Sequence, residues 1–241
     1  MPAGAAVEAL VPMPENGRRF SATREVRLAD ASRNGRLRLD AVARYLQDVA
    51  NDDARDALGA GDAAPWVVRR TVVDVSSWPR FQEQLVLTTF CGGTGPRWAE
   101  RRTTLAGRDG GLVEAASLWV HIDMTTGRPA PLPASFIEHF GGACGGRRVS
   151  GRLAHPPPPP SAERRPWMLR RTDFDVMGHL NNAAYWAVVE EVLVGPAPSR
   201  FELEYRTPIE PGDEVELLVG DGAVWLAGPA GVYASARVTP A

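Results

Sequence analysis

Hydrophobic positions along the first half of the chain predict one short strand, one long helix and four further strands. Residues 25–28 alternate in polarity, and residues 29–36 are polar. From Leu37 to Leu58 the apolar side chains recur at helical spacing; they are Leu39, Val42, Ala43, Leu46, Val49 and Ala50. Runs rich in β-branched and aromatic residues then predict strands over 67–75, 84–91, 97–106 and 112–122.

The second half repeats this series in a shorter form. It predicts a strand over 167–171, a loop over 172–178, a helix over 180–194, and strands over 200–206, 214–219, 223–227 and 232–238. An offset of 143 residues places Gly35 on Gly178 and superposes the two loops and the two helices. Each half therefore predicts an antiparallel sheet wrapped around one long helix, which makes the fold class α+β.

Two segments rich in proline or glycine set the predicted domain boundaries. Residues 1–19 contain three prolines and no basic start, so we expect a loose leader there rather than a secretion signal. Residues 141–166 include the run Pro156 to Pro160 and predict an exposed, partly polyproline linker. The N-terminal domain is then residues 20–140, and the C-terminal domain is residues 167–241.

Composition narrows the range of partners. With 27 basic and 29 acidic residues, the formal charge of -2 argues against nucleic acid and favours a small, weakly charged or apolar ligand. Cys91 and Cys144 form no CxxC motif and have no histidine at ligand spacing, so neither a metal site nor redox chemistry is signalled. We expect a reduced, cytoplasmic protein, and no apolar run reaches the roughly 18 residues that a membrane span needs.

The loop that enters the second helix concentrates polar chemistry. Asp175, Gly178, His179 and Asn181 lie where free backbone N–H groups and the positive end of a helix dipole point outward, a geometry that binds an oxyanion. A thioester carbonyl placed there is polarised toward attack, with Asp175 as general base or nucleophile and His179 as donor or orienting group. Gly178 permits close approach of the carbonyl to the backbone. Asp and Asn are also ordinary helix caps, so this pattern alone leaves a purely structural role open.

Several motifs resemble those of the acyl-ACP thioesterases of plants and bacteria, where ACP is acyl carrier protein. The stretch from Asp175 to Tyr185, with the pair Asn181-Asn182, is similar to the signature of hotdog-fold thioesterases. The wider resemblance runs from about Phe20 to the C-terminus and includes residues 39–47, 66–70, 116–120, 126–129 and 204–206. It implies a tandem hotdog fold and an enzyme of fatty acid biosynthesis that releases fatty acids from acyl carrier protein without a cofactor.

The resemblance also implies the site residues. The family has Asp, Asn and His at alternate positions of this loop; here Asp175 and His179 match, and Met177 stands in place of the Asn. Asn181 is expected to be a supporting group. Glu210 is expected to supply the acidic residue that follows the Tyr-Arg pair of the family.

The internal repeat predicts a single active site. Ser32 and Arg36 take the positions of Asp175 and His179 in the first half, and neither is a carboxylate base or an imidazole. The site is therefore expected in the second half, and the first half is expected to shape the acyl pocket.

Two alternatives to an acyl-ACP thioesterase stay open. An acyl-CoA thioesterase of the same fold shares the loop signature, and a catalytically weak acyl-binding module fits Met177 and Pro208. A dehydratase acting on hydroxyacyl thioesters has no recognisable signature in either half. The expected partners are thioesters of acyl carrier protein or CoA, with no nucleic acid, metal or cofactor, and the chain is expected to be a monomer or a homodimer.

Overall fold

The computed structural model describes residues 9–59, 66–193, 195 and 199–240. In these residues the helices are α1 (Leu39–Leu58), α2 (Ala134–Phe140) and α3 (Asn182–Val192). The strands are β1 (Arg19–Glu25), β2 (Trp66–Ser77), β3 (Gln84–Thr94), β4 (Trp98–Gly107), β5 (Leu112–His121), β6 (Glu163–Trp167), β7 (Ser199–Tyr205), β8 (Val215–Gly220), β9 (Ala223–Gly228) and β10 (Gly231–Pro240). None of the helices in this part of the chain is long and apolar enough to cross a membrane.

The ten strands form one antiparallel sheet in the order β1-β3-β4-β5-β2-β7-β10-β9-β8-β6. Each half has the same connectivity: the strand before the long helix lies at the outer edge, and the strand after it lies at the centre. The halves join where β2 pairs with β7, from Arg70 opposite Glu204 to Asp74 opposite Arg200. The antiparallel sheet predicted for each half is confirmed, and the two are continuous.

The two long helices, α1 and α3, pack against each other on one face of the sheet. Val49 of α1 and Val189 of α3 are fully buried together with Phe201 and Leu203, which point inward from β7. Both predicted helices are confirmed, each beginning two residues later than expected. Val194, at the end of the second predicted helix, lies outside the described residues.

Two strand predictions are wrong by several residues, and both concern the edges of the sheet. The strand predicted over 25–28 lies at Arg19–Glu25, where it pairs with β3, and Leu28 is 79% exposed in a 3-10 helix. The strand predicted over 167–171 lies at Glu163–Trp167, paired with β8. An edge strand has a single neighbour and tolerates charged side chains, so its polarity pattern does not mark it clearly.

The predicted loose leader is partly anchored. Residues 1–8 lie outside the described chain, but the carbonyl of Val11 accepts a hydrogen bond from Arg102 Nε at 3.0 Å. Arg19, the last residue of the predicted leader, begins β1. The part of the leader that the structure describes is therefore attached to the sheet.

The predicted linker also packs against the sheet instead of being exposed throughout. The indole N–H of Trp98 donates to the carbonyl of Val149, and that of Trp225 donates to the carbonyl of Pro156, both at 2.9 Å. Between them, His155 is buried. The expectation of an exposed linker is wrong at His155, whereas Pro156 is exposed as expected. Indole donors of the sheet hold the backbone on both sides of His155.

The two halves share a loop of the same hydrogen-bonded geometry, residues 32–36 and 175–179. In each loop the first N–H donates to the fifth carbonyl, and the fourth N–H donates back to the first carbonyl. These N···O distances are 2.8 and 2.9 Å in the first half and 2.9 and 3.0 Å in the second. Gly35 and Gly178 occupy the fourth position with φ of 77° and 80°, a region that favours glycine. The two loops therefore form the same hydrogen bonds at positions that are 143 residues apart in the sequence.

Candidate active site

The second-half loop brings Asp175 and His179 together at the entrance to α3. The N–H of Asp175 donates to the His179 carbonyl at 2.9 Å, and Phe174 pairs with Leu180 to close the loop. Asp175 Oδ1 accepts the N–H of Met177 at 2.9 Å, which holds the carboxylate over the turn. Asp175 and His179 are both half-buried, so each keeps a surface that a substrate can contact.

Gly178 shapes this loop, and its N–H is not free. It donates to the carbonyl of Asp175 at 3.0 Å. The turn itself uses this donor, and the role of Gly178 in letting the carbonyl approach the backbone closely stays a prediction. Met177, which stands where the family has Asn, is 63% exposed at the tip of the turn.

The two asparagines at the start of α3 have different positions. Asn181 caps the helix, since its Oδ1 accepts the N–H of Ala183 at 2.9 Å. This residue was expected to support catalysis, yet its oxygen is used in a structural hydrogen bond. Asn182 is the first residue of the helix and lines the cavity described below. Its N–H is one of the donors that have no partner within a helix.

The predicted second carboxylate, Glu210, lies on a neighbouring turn. The N–H of Leu180 donates to the carbonyl of Ile209 at 2.9 Å, which holds this turn against the base of the loop. Glu210 is exposed, and in the described chain no hydrogen bond links its carboxylate to Asp175. Its own N–H donates to Asp213 Oδ2 at 2.9 Å. The role of Glu210 in catalysis stays a prediction.

Asp213 is a second acidic residue near the loop that sequence reasoning missed. Burial raises the pKa of Tyr185, and the charges of Asp175 and Asp213 raise it further, so both carboxylates lie near that phenol. The first half contains a turn of the same kind, in which the N–H of Arg80 donates to Glu83 Oε2 at 2.7 Å. Comparing the two halves therefore points to Asp213 as the counterpart of Glu83. Both turns place an acidic residue three positions after the donor.

A cavity of about 340 Å³ lies between α1 and the first-half part of the sheet and reaches Asn182. Its wall on α1 is a stripe at helical spacing, made of Gln47, Ala50, Asn51, Ala54 and Leu58. The rest of the wall is Trp66, Cys91, Ala99, Glu100, Arg101, Trp119, Phe136 and Phe140. This volume is within the roughly 300–1,000 Å³ of typical small-molecule pockets.

The ionisable side chains in the cavity wall are paired or neutral. Arg101 Nη1 contacts Asp53 Oδ2 at 2.5 Å, and Glu100 Oε1 contacts Arg147 Nη1 at 2.6 Å. Burial raises the pKa of the Cys91 thiol to about 12, so this thiol stays protonated near neutral pH and is a poor nucleophile. The cavity therefore suits an apolar ligand.

In the first half an ion pair fills the position that corresponds to the active-site loop. Arg36, the counterpart of His179, donates to Glu190 on α3, with Nη2–Oε1 at 2.7 Å and Nη1–Oε2 at 3.3 Å. The same carboxylate accepts the N–H of Leu39, the first residue of α1, at 3.0 Å. The guanidinium also lies 4.5 Å from the ring centroid of Trp78. The first-half loop is therefore closed by the protein's own side chains.

One cluster on the helix-free face of the sheet contains the residue types of a metal site. His155, Glu202 and Glu204 offer possible ligand atoms within 4.8 Å of one another. However, Glu204 accepts the N–H of His155 at 3.2 Å and Arg206 Nη2 at 3.0 Å, and His155 Nδ1 faces Ser235 Oγ at 3.0 Å. These contacts hold the linker against β7 and β10, and we assign the cluster a structural role.

Comparisons with known proteins identify the family of this chain. The model for the acyl-ACP thioesterase N-terminal domain matches residues 17–140, and the model for the C-terminal domain of the same family matches residues 159–226. Two uncharacterised proteins of Mycobacterium tuberculosis, from strains CDC 1551 and H37Rv, are each 33% identical to this chain over 213 residues, which is 87% of this chain and 85% of theirs.

Solved structures share the fold. The 12:0-ACP thioesterase from Umbellularia californica aligns with a TM-score of 0.75 and 22% identity, over 94% of this chain and 99% of its own. An acyl-ACP thioesterase from Bacteroides thetaiotaomicron aligns with a TM-score of 0.76 and 19% identity, over 91% of this chain and 96% of its own. The chain therefore belongs to the acyl-ACP thioesterase family, and its family and fold support the hydrolysis of a thioester.

Proposed function

We propose that this protein hydrolyses the thioester of acyl-ACP and releases a free fatty acid in fatty acid biosynthesis. The observation that carries the proposal is that the loop holding Asp175 and His179 leads directly into α3, whose first residue, Asn182, lines the apolar cavity. A polar reaction centre next to an apolar chamber is what an acyl thioester requires, since its carbonyl reacts while its hydrocarbon chain needs shelter from water.

The proposed chemistry uses groups of the second half. Asp175 activates a water molecule or attacks the thioester carbonyl itself, and His179 hydrogen-bonds to the substrate or orients the carboxylate. Because the Gly178 N–H is used in the turn, the N–H of Asn182 takes over as oxyanion donor at the positive end of α3. Overall, water adds across the C–S bond: its hydroxyl goes to the acyl carbon, and its proton goes to the leaving thiolate.

In this proposal the two halves are hotdog units in tandem, with the predicted boundaries of 20–140 and 167–241 extended to take in β1 from Arg19 and β6 from Glu163. The first unit holds the acyl chain in its cavity, and the second carries out the reaction. Acyl carrier protein is the proposed carrier because the family models and the Umbellularia and Bacteroides structures bear that name. Both cysteines are free, which agrees with the proposed location in the cytoplasm.

A catalytically weak acyl-binding module is the second candidate function. It is favoured by the exposed carboxylate of Glu210 and by Met177, whose thioether is at best a weak hydrogen-bond acceptor. An acyl-CoA thioesterase would use the same residues and differ only in the carrier that it recognises.

Hydrolysis of matched substrates tests the proposal. Acyl-ACP and acyl-CoA thioesters of the same chains are incubated with the purified protein, with Asp175→Asn, and with Ser32→Ala as the matched control in the closed first-half loop. We expect faster turnover of the ACP thioesters, a loss of about 10²-fold or more in Asp175→Asn, and an unchanged rate in Ser32→Ala.

Each other outcome leads to a different assignment. Faster hydrolysis of the CoA thioesters identifies an acyl-CoA thioesterase. Binding of acyl-ACP without turnover identifies a binding module. Turnover that is unaffected by Asp175→Asn removes this carboxylate from the mechanism.

A further inference from the structure

The loop at residues 32–36 in the first half is closed by a carboxylate from the other half, and its contacts serve as a template for the active-site loop at residues 175–179. There, a carboxylate oxygen of Glu190 lies between the loop residue Arg36 and the N–H of Leu39. The carboxylate comes from α3, which belongs to the other half of the chain. An oxygen bound by a loop side chain and by the first N–H of a helix is the arrangement that an oxyanion needs.

The internal repeat carries this arrangement over to the second half. With the offset of 143 residues, Arg36 corresponds to His179, Leu39 to Asn182, and Glu190 to Gln47 on α1. The two halves are related by an approximate two-fold axis, because α1 packs on α3 and an antiparallel pair of strands, β2 and β7, joins the halves. A contact from α3 to the loop of the first half therefore has a counterpart from α1 to the loop of the second half. The side chain of Gln47 is therefore expected beside the N–H of Asn182 and next to His179.

The cavity agrees with this placement. Gln47 and Asn182 line the same cavity, although one lies on α1 and the other on α3. Gln47 is half-buried, and within the described residues its amide has no hydrogen-bond partner. Where Glu190 offers only acceptor oxygens, Gln47 offers an NH₂ donor. The amide of Gln47 thus carries one acceptor oxygen and one NH₂ group, and through its NH₂ group it can donate to an oxygen that a ligand brings beside Asn182.

We propose that Gln47 binds the thioester carbonyl: its Nε2 donates a hydrogen bond to the carbonyl oxygen, beside the N–H of Asn182. This inference rests on the proposed function and deepens it. The first half then contributes a polar group to the reaction centre as well as the acyl chamber. The substrate carbonyl gives the amide of Gln47 a partner that the described part of the chain does not supply, and the bond strengthens as negative charge develops on that oxygen.

Paired analogues that cannot be hydrolysed isolate the contact with the carbonyl. One is an acyl-ACP analogue in which a methylene replaces the thioester sulfur, so the carbonyl remains; the other is a thioether that lacks the carbonyl. Calorimetry gives the affinity of each for the wild type, Gln47→Ala and Gln47→Glu. Asp48→Asn, at the exposed neighbouring position on α1, is the matched control.

We expect the wild type and Asp48→Asn to bind the ketone about tenfold more tightly than the thioether. This ratio should fall toward one in Gln47→Ala and in Gln47→Glu, which keeps the size of the side chain but removes the donor. With acyl-ACP as substrate, kcat should fall about 10²- to 10³-fold in both variants, as when one oxyanion donor is lost, and KM should rise by about tenfold at most, the loss expected in affinity for the ketone.

The results separate this inference from the function on which it rests. An unchanged ratio in Gln47→Glu, in a protein with the urea midpoint of the wild type, overturns the role of Gln47 even if Asp175→Asn abolishes turnover. A ratio that depends on Gln47 in a protein without turnover overturns the hydrolase function and leaves the carbonyl contact standing.

Discussion

Removing the carboxylate of Glu190 tests whether the ion pair between the halves is a major source of stability. Arg36 and Glu190 are 11% and 14% exposed, and the guanidinium forms two hydrogen bonds to the carboxylate. In Glu190→Ala, Arg36 is left largely buried without its counter-charge, and Leu39 at the start of α1 loses its acceptor.

The expected loss follows from these two effects. Breaking one partner of a buried ion pair destabilises a protein by about 3–5 kcal/mol, and the loss of a helix cap by about 1 kcal/mol, although the two effects overlap here. We therefore expect Glu190→Ala to lower the free energy of unfolding by about 4 kcal/mol. For a chain of this size that is roughly 8–16 °C in Tm. Replacing both residues by Met should recover much of this loss, since no unpaired charge remains.

Urea unfolding followed by circular dichroism measures these changes, and Arg36→Met, Glu190→Met and the variant with both substitutions form a double-mutant cycle. Glu191→Ala, at the exposed next position of α3, is the control and should change stability by less than about 0.5 kcal/mol. A loss below about 1 kcal/mol in Glu190→Ala, or additive effects in the cycle, would refute the reasoning.

Three further predictions concern pH and the loops. Burial lowers the pKa of His155, so below a pH of about 6.5 the unfolded chain binds more protons than the folded chain. The urea concentration at the unfolding midpoint should therefore decrease when the pH is lowered from 7 to about 5, and it should decrease less in His155→Asn. Gly35→Ala and Gly178→Ala should each lose about 1–2 kcal/mol in thermal unfolding because their φ is positive, but only Gly178→Ala should slow hydrolysis. Asn181→Ala should lose about 1 kcal/mol, and Asn181→Asp, which also caps a helix, should restore stability and turnover.

Each of these predictions has a result that contradicts it. A stability that does not change with pH in this range would mean that His155 is protonated as easily in the folded as in the unfolded chain. Equal losses of activity in the two glycine variants would separate activity from the second loop. A stable but inactive Asn181→Asp would show that the amide of Asn181 acts in catalysis as well as in capping.

Local pattern was enough to predict the two long helices, although it missed the short α2, and it did not reveal what each face of a helix contacts. On α1, the apolar residues Val42, Leu46 and Val49, which recur at helical spacing in the sequence, are buried. Gln47 and Asn51 are polar and lie on another face of α1; polar residues are typical of a solvent-exposed helix face, yet these two line the cavity. A polar residue facing an enclosed space has the same sequence signal as one facing water.

Contacts between the halves were beyond the reach of local pattern. Arg36 and Glu190 are separated by 154 positions, and nothing near either residue indicates its partner. The same holds for His155, which lies in a proline-rich segment and is buried only because Glu204 and Ser235 bond to it from two strands. Such polar residues are buried because residues distant in the sequence form hydrogen bonds with them, and local pattern does not show these contacts.

The active-site loop shows a third limit. Asp, Asn and Gly before a helix serve equally in capping and in catalysis, so their presence located the site but not the role of each residue. The structure assigns Asn181 to the cap and the Gly178 N–H to the turn. Asn182, of the same residue type as its neighbour, differs from it by lining the cavity.

The continuous sheet limits how this protein opens and closes. Five consecutive residue pairs join β2 to β7 at its centre, so the halves cannot swing apart about a flexible connection as two lobes around a cleft do. Entry of an acyl chain and departure of the product must then depend on side-chain rotations and loop displacements around a rigid frame. Such local motions are faster than the rotation of whole domains, and turnover would be gated at the mouth of the chamber.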